Sequence, residues 1–300
     1  MSDRNPLSAP ARGAASAILC YLLWGLVPLY WKQLADVDAL ELIAHRHVWS
    51  LVFVICLVLA QRGLGSVRAA FDGWRSVAYN FVGSVLLTAN WLVYVWGVNT
   101  GHVVEASLGY FLVPLVNVGA GRLLLHEQLR RAQWLAIALA AAGVGLLVYQ
   151  VGKPPWISLA LAATWGGYGL MRKKSPLGAV TGLAVETLLL APFAIAFLLW
   201  RGHEGTGALG HLPWGRTLLL LSAGLITAVP LLFFAYGAKR IRLSTLGLLQ
   251  YLTPSLQLLL GVVLYHEPFP HERLACFAFI WTGLALYTVD SVWAQRRAAL

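Results

Sequence analysis

The chain of 300 residues is 59% hydrophobic and only 11% charged, with a mean hydropathy of +0.71. A soluble domain carries about 25% charged residues, so too little polar surface is present to face water, and apolar runs long enough to cross ~30 Å of hydrocarbon recur throughout. The net charge of +10 is dispersed in twos and threes between those runs, without the basic stripe of a nucleic-acid surface, and it reads as membrane topology.

A polar tail, 1–12, opens the chain, and the run after it is too long for a cleavable signal and is followed by many more. Apolar runs predict helices over 13–33, 39–60, 75–98, 104–124, 131–150, 155–172, 178–200, 214–238, 243–265 and 272–293, before a second tail, 294–300. The expected fold is an all-α integral membrane protein of ten transmembrane helices. Alternate connections collect the cations: Arg62, Arg68 and Arg75; Arg122, Arg130 and Arg131; Arg172, Lys173 and Lys174; Lys239, Arg240 and Arg242. Arg4, Arg12, Arg296 and Arg297 in the tails join that side, whereas the other side holds only Lys32, Lys153, Arg201, Arg216 and Arg273. By the positive-inside rule both termini face the cytoplasm, as expected of a multi-pass inner-membrane protein. Trp31, Trp74, Trp134, Trp156, Trp200, Trp214 and Trp293 fall near run ends, where indole prefers the interface, while Trp24, Trp49, Trp91, Trp165 and Trp281 lie deeper. Cys20, Cys56 and Cys276 stand apart inside apolar runs and read as small core hydrophobes.

The two halves echo each other. At an offset of 140, Pro114 matches Pro254, Gly121 matches Gly261, His126-Glu127 matches His266-Glu267 and Gly143 matches Gly283; at 141, Trp24-Gly25 matches Trp165-Gly166. The echo divides the chain into five-helix repeats over 13–150 and 155–293. An odd number of spans makes the second repeat enter the membrane from the opposite side. Inverted repeats of this kind place the substrate site of secondary transporters near the midplane. A duplicated structural protein without a transported ligand is the alternative.

A set of strings runs in order over nearly the whole chain: His45-Arg46 with Trp49-Ser50, Asn90-Trp91 with Asn99, Glu105 through Phe111, Tyr168-Gly169-Leu170 with Arg172-Lys173-Lys174, Glu186-Thr187, Val229-Pro230-Leu231, and Arg242 through Gly247 with Gln250-Tyr251. Through them the sequence resembles the EamA-type transporters of the drug/metabolite transporter superfamily, and within these the RarD-type, chloramphenicol-sensitivity branch. The resemblance implies a ten-helix inner-membrane permease that exports small metabolites or drugs, and it names no substrate. At the end of the fourth helix of each repeat the family often has Gly-Glu, where this chain has His126-Glu127 and His266-Glu267.

Ionisable groups at membrane depth cost ~2.5–3.5 kcal/mol on insertion scales and mark function by default. Arg46 stands about seven residues into the second helix, ~10 Å from its outer end, and Glu186 a similar distance into the seventh. The two are 140 residues apart and so repeat-equivalent. They are expected to meet near the midplane, as an ion pair or as joint ligands of a charged substrate. Snorkelling of Arg46 and a structural hydrogen bond at Glu186 are the competing readings, and a carboxylate in a dry cavity would also suit proton coupling. Trp24, Trp165, Asn90, Tyr110, Tyr168, Gln250 and Tyr251 complete the predicted substrate site as stacking rings and polar lining, against plain packing or interhelical hydrogen bonding. Pro114, Pro254 and Pro230 lie within spans and are expected to kink or break them for gating, the first two as a matched pair. Glu105, at the entry of the fourth helix, is either a charge suited to a helix start or a gate.

Enzyme motifs are missing. His126-Glu127 and His266-Glu267 do not complete H-E-x-x-H, since Arg130 and Pro270 stand where the second histidine belongs, and neither G-x-S-x-G nor a Walker A lysine occurs. No catalytic residue, metal or cofactor is expected. The expected partners are the bilayer and a small-molecule substrate, with protons as a candidate coupling ion. Gly143 and Gly145 suit close helix contacts within a monomer or between the copies of a homodimer. The predicted function is a secondary active permease working by alternating access; a passive facilitator, an importer of the same fold and a non-transporting subunit are the alternatives.

Overall fold

The computed structural model describes residues 8–100, 102–151, 156–264, 266 and 272–298. They form helices α1 (Ala9–Trp31), α2 (Ala39–Ala60), α3 (Leu64–Ala69), α4 (Trp74–Asn99), α5 (Val103–Leu124), α6 (Arg131–Val151), α7 (Trp156–Lys174), α8 (Ala179–His203), α9 (Trp214–Ala238), α10 (Leu243–Leu249), α11 (Leu252–Leu259) and α12 (Glu272–Ala298), and no strand among the described residues. In hydrocarbon every backbone N–H and C=O must be bonded within its own segment, which a long apolar helix achieves unaided. Ser8 starts α1 by accepting from the Ala11 N–H at 3.4 Å, and Asp38 starts α2 by accepting from Leu40 and Glu41 N–H at 3.1 and 3.0 Å.

Among the described residues, eight helical stretches are long and apolar enough to cross a membrane: Ala9–Leu34, Ala39–Ala60, Trp74–Gly97, Arg131–Gln150, Ala179–His203, Trp214–Ala238, Leu243–Leu264 and Leu274–Ser291. The predicted fourth and sixth runs are helical, as α5 and α7, but fall below that measure. The apolar part of α5 is only Leu108–Leu124, and α7 ends in Arg172-Lys173-Lys174. The six-residue α3 was too short to register as an apolar run.

The predicted helix 243–265 is interrupted. α10 stops at Gln250, α11 starts afresh at Leu252, and a π turn follows over Leu260–Leu264. Pro254 has no N–H to offer the Gln250 carbonyl, which accepts instead from Thr253 N–H at 3.0 Å. Pro114 lies within continuous α5 and Pro230 within continuous α9. Only the second proline of the expected matched pair coincides with a break.

Packing follows the 140-residue offset. α1 packs on α9 and α11, and α7 on α4 and α5; α2 packs on α9, and α8 on α4. Equivalent helices also face each other, α2 with α8, α5 with α10 and α6 with α12, and two of these pairs are visibly antiparallel. Glu41 at the start of α2 meets Arg201 near the end of α8 at 3.4 Å, and Arg130 just before α6 meets Asp290 late in α12 at 2.5 Å. At the α6–α12 crossing, a Cβ on Gly143 would lie 2.6 Å from the Cys276 carbonyl oxygen, and one on Gly283 2.6 Å from that of Ala136. Gly143 thus serves contact within the chain, whereas Gly145 borders open space. Cys20 and Cys276 are buried as expected; Cys56 is exposed on the outer face of α2, so it is no part of the core.

Candidate functional site

α2, α4, α8 and α9 enclose a cavity of about 20 Å³, room for a single water-sized occupant. Its walls are Arg46, His47 and Ser50 of α2, Ser84, Leu87 and Trp91 of α4, Leu183, Glu186, Thr187 and Leu190 of α8, and Thr227 and Leu231 of α9. Gly224 allows α2 and α9 to meet main chain to main chain there, because a Cβ would collide with the Trp49 and Ser50 backbone; the Ser50 hydroxyl donates to the Gly224 carbonyl at 3.1 Å. About one turn along each helix, Arg46 Nε donates to Thr227 Oγ1 at 3.0 Å. The guanidinium carbon lies 4.2 Å from the ring centroid of Trp91 and 4.9 Å from that of Trp31, both within cation–π range. The phenols of Tyr30, Tyr94 and Tyr110 are within electrostatic reach. Among the described residues no carboxylate pairs with Arg46.

Glu186 lines the same cavity, but the predicted ion pair with Arg46 is not made. Glu186 Oε1 instead accepts from Arg172 Nη1 at 3.0 Å, and Oε2 from the Tyr168 hydroxyl at 3.2 Å. Arg172 also donates to Asn80 Oδ1 at 3.2 Å and to the Ala179 carbonyl at 3.4 Å. The sequence reading placed Arg172 among the cations that set topology, yet it is 1% exposed. Gly182 makes its berth, since a Cβ there would lie 2.9 Å from the guanidinium carbon. The physical reason for the exchange of partners is local: Arg46 already has two indole faces and a hydroxyl, whereas buried Arg172 has no other counter-charge among the described residues. A signal was available, because Arg172 stands four residues after Tyr168 and therefore shares its helix face.

The predicted aromatic pair does meet. Trp24 and Trp165 stand edge to face at 5.1 Å, with Phe234 at 5.9 and 5.5 Å from them and Tyr168 stacked on Phe234 at 5.7 Å. Trp165 Nε1 donates to Gln250 Oε1 at 3.2 Å, and the whole group is packed in the largest apolar core rather than set on the cavity wall. Tyr168 ties this core to Glu186. Tyr251 lies in the second core, its hydroxyl donating to the carbonyl of Phe111, 140 residues away, at 3.2 Å. Asn90 donates to the Leu161 carbonyl at 2.9 Å and to Thr164 at 3.0 Å, fastening α4 to α7. Tyr110 packs on Tyr94 at 5.7 Å. Glu105 sits in the first turn of α5, where its carbonyl accepts from the Ser158 hydroxyl at 2.5 Å.

Glu127, just beyond the end of α5, has a definite task. Its carboxylate accepts from Leu243 N–H at 2.6 Å, Ser244 N–H at 3.0 Å and the Ser244 hydroxyl at 2.7 Å, capping α10 from the other half of the chain. Glu267, its repeat mate, lies outside the described residues. His126 and His266 take φ of +54° and +53°, the left-handed region where glycine is relaxed and a side chain is strained. Nearby, Lys173 donates to the Ile241 carbonyl at 2.5 Å and Lys239 to that of Ser175 at 2.7 Å, so this end of the bundle is cross-tied. At the opposite end Glu41 accepts from Ala208 N–H at 2.5 Å, and the Arg216 guanidinium, hydrogen-bonded to Asp36, holds that carboxyl below its usual range.

Beside the cavity lies an open cleft of about 200 Å³ between Leu40, Ile43, Ala44 and His47 of α2, Thr88 and Leu92 of α4, and Leu190, Phe193, Ala194 and Phe197 of α8. His47 and Leu190 border both spaces.

The model of the EamA-like transporter family matches residues 11–149 and 155–289. Protein RarD of Escherichia coli (strain K12) is 40% identical over 288 residues, 96% of this chain and 97% of that protein. Protein RarD of Streptomyces exfoliatus is 45% identical over 278 residues, 93% of this chain and 88% of its own. A solved crystal structure shares the fold with a TM-score of 0.70, at 22% identity over 92% of this chain and 97% of that one.

Proposed function

The chain belongs to the EamA-like transporter family and is a multi-pass membrane transporter of the bacterial inner membrane, and we propose that it is a secondary active permease exporting small metabolites or drugs. In this reading ten helices form two inverted five-helix repeats with cytoplasmic termini, and the substrate binds near the midplane between them. The cavity carries the proposal: Arg46 of the first half and Glu186, Thr187 and Thr227 of the second line one space. The antiparallel meeting of α2 with α8 and of α6 with α12 supports the inversion. With about 20 Å³ free, a metabolite enters only when the surrounding helices part, which is the motion alternating access requires.

Reconstitution into liposomes tests this, with flux of candidate solutes measured with and without an imposed pH gradient. Movement driven by the gradient is the expected result. Flux indifferent to the gradient makes the protein a facilitator, and no flux of any solute by folded protein makes it a non-transporting subunit.

A further inference from the structure

The cavity wall holds one charge without a counter-charge. Glu186 is met by Arg172 at 3.0 Å, while among the described residues Arg46 has a hydroxyl, two indole rings and nearby phenols around it but no carboxylate. Nε of Arg46 is engaged by Thr227, and its two terminal nitrogens make no hydrogen bond to a described residue. That leaves the fork that binds a carboxylate in bidentate fashion. The adjoining cleft, about 200 Å³, exceeds the ~150 Å³ that suffices for benzene in an apolar cavity. Apart from Thr88 and His47 its walls are apolar, and it meets the cavity at His47 and Leu190.

Resting on the transporter reading, we propose that the substrate is an organic monoanion with a ring-sized apolar body, its acidic group on Arg46 and its body in the cleft between α2, α4 and α8. A zwitterion of the same shape is disfavoured, because Glu186, the carboxylate on the cavity wall, is already paired and leaves an ammonium group no partner. The neutral analogue leaves the guanidinium fork unmatched.

Binding to the full chain in lipid nanodiscs, read by thermal stabilisation, tests this with three probes of one shape: 3-phenylpropionate, 3-phenylpropanamide and phenylalanine. The acid is expected to bind at least about tenfold more tightly than either of the others, as an added charge-assisted contact implies. Arg46→Gln should erase that preference, Arg46→Lys should keep part of it, and Ala194→Trp, filling the cleft away from Arg46, should weaken the acid about tenfold or more. No binding of the acid, equal binding of acid and amide, or a preference that survives Arg46→Gln overturns the anion site. Unchanged affinity in Ala194→Trp overturns the cleft as the place of the apolar body. Flux of the same probes in liposomes separates the two readings: acid binding without any flux removes transport and leaves the site, whereas flux without acid preference does the reverse.

Discussion

Arg172 and Arg46 are both arginines inside the bundle, and they live in opposite circumstances. Arg172 is sealed between α4, α7 and α8 with a carboxylate, an amide oxygen and a carbonyl around its guanidinium. Arg46 is only partly buried, borders a cavity, and has no acidic partner among the described residues. The cation-rich end of the bundle around Arg172 is also where Glu127 ties the first half to the start of α10, and where Lys173 and Lys239 fasten helix ends within the second half. A buried charge held by an ion pair and two further acceptors fixes structure, and a charge left partly open is free to meet something else. Position in the sequence does not separate the two cases; their surroundings do.

The largest test of that contrast is Arg172→Leu. It strands Glu186 as an unpaired buried carboxylate, and removal of one partner of a buried pair costs ~3–5 kcal/mol. The double variant Arg172→Leu with Glu186→Leu should recover most of the loss, since no buried charge is left without a mate. Thermal unfolding of both in detergent measures this, and a double variant as unstable as the single would mean that the ion pair is not what Arg172 supplies. Next in size is Glu127→Ala, which deprives α10 of three hydrogen bonds to one carboxylate. A loss of ~2 kcal/mol is expected, together with faster hydrogen exchange at Leu243 and Ser244. Unchanged exchange there would show that the cross-half cap contributes nothing.

The sequence made some of this legible, for identifiable reasons. Apolar length marked the long helices because hydrocarbon enforces it. The offsets of 140 and 141 residues brought out Arg46 with Glu186 and Trp24 with Trp165, and both pairs do converge, the first on a cavity and the second in a core. Partner choice stayed hidden. Arg172 looked like one of three topology cations because a run of Arg-Lys-Lys at a helix end says nothing about which side chain turns inward. A kink or break is expected at both Pro114 and Pro254, but a break occurs only at the second, because a proline inside a run signals a defect without fixing its size: Pro114 is absorbed by α5 while Pro254 ends up in the first turn of α11. Tyr251 and Asn90 read as cavity lining because polarity was the criterion, whereas the Tyr251 hydroxyl and the Asn90 amide nitrogen are engaged by neighbouring helices.

His126→Gly carries the third-largest effect and the opposite sign. A left-handed residue with a side chain costs ~1–2 kcal/mol, part of which glycine returns through its greater freedom in the unfolded chain. A gain of ~0.5–1 kcal/mol is expected, visible as a higher melting temperature, and it should vanish in the Glu127→Ala background if the turn matters only for aiming that carboxylate. A gain of the same size in both backgrounds would separate backbone strain from the cap.

Arg46→Gln is expected to change stability least. The variant gives up two cation–π contacts, ~0.5–2 kcal/mol, and at the same time relieves a charge that costs ~2.5–3.5 kcal/mol at membrane depth before partial exposure reduces the figure. Glutamine keeps an N–H that can reach Thr227. The opposing effects leave a net change within ~1 kcal/mol of zero, against ~3–5 kcal/mol for Arg172→Leu. The same substitution should abolish the preference for an anionic ligand. A melting temperature lowered as far as by Arg172→Leu would make the two arginines equivalent structural charges, and the distinction between a sealed end and an open cavity would fall with it.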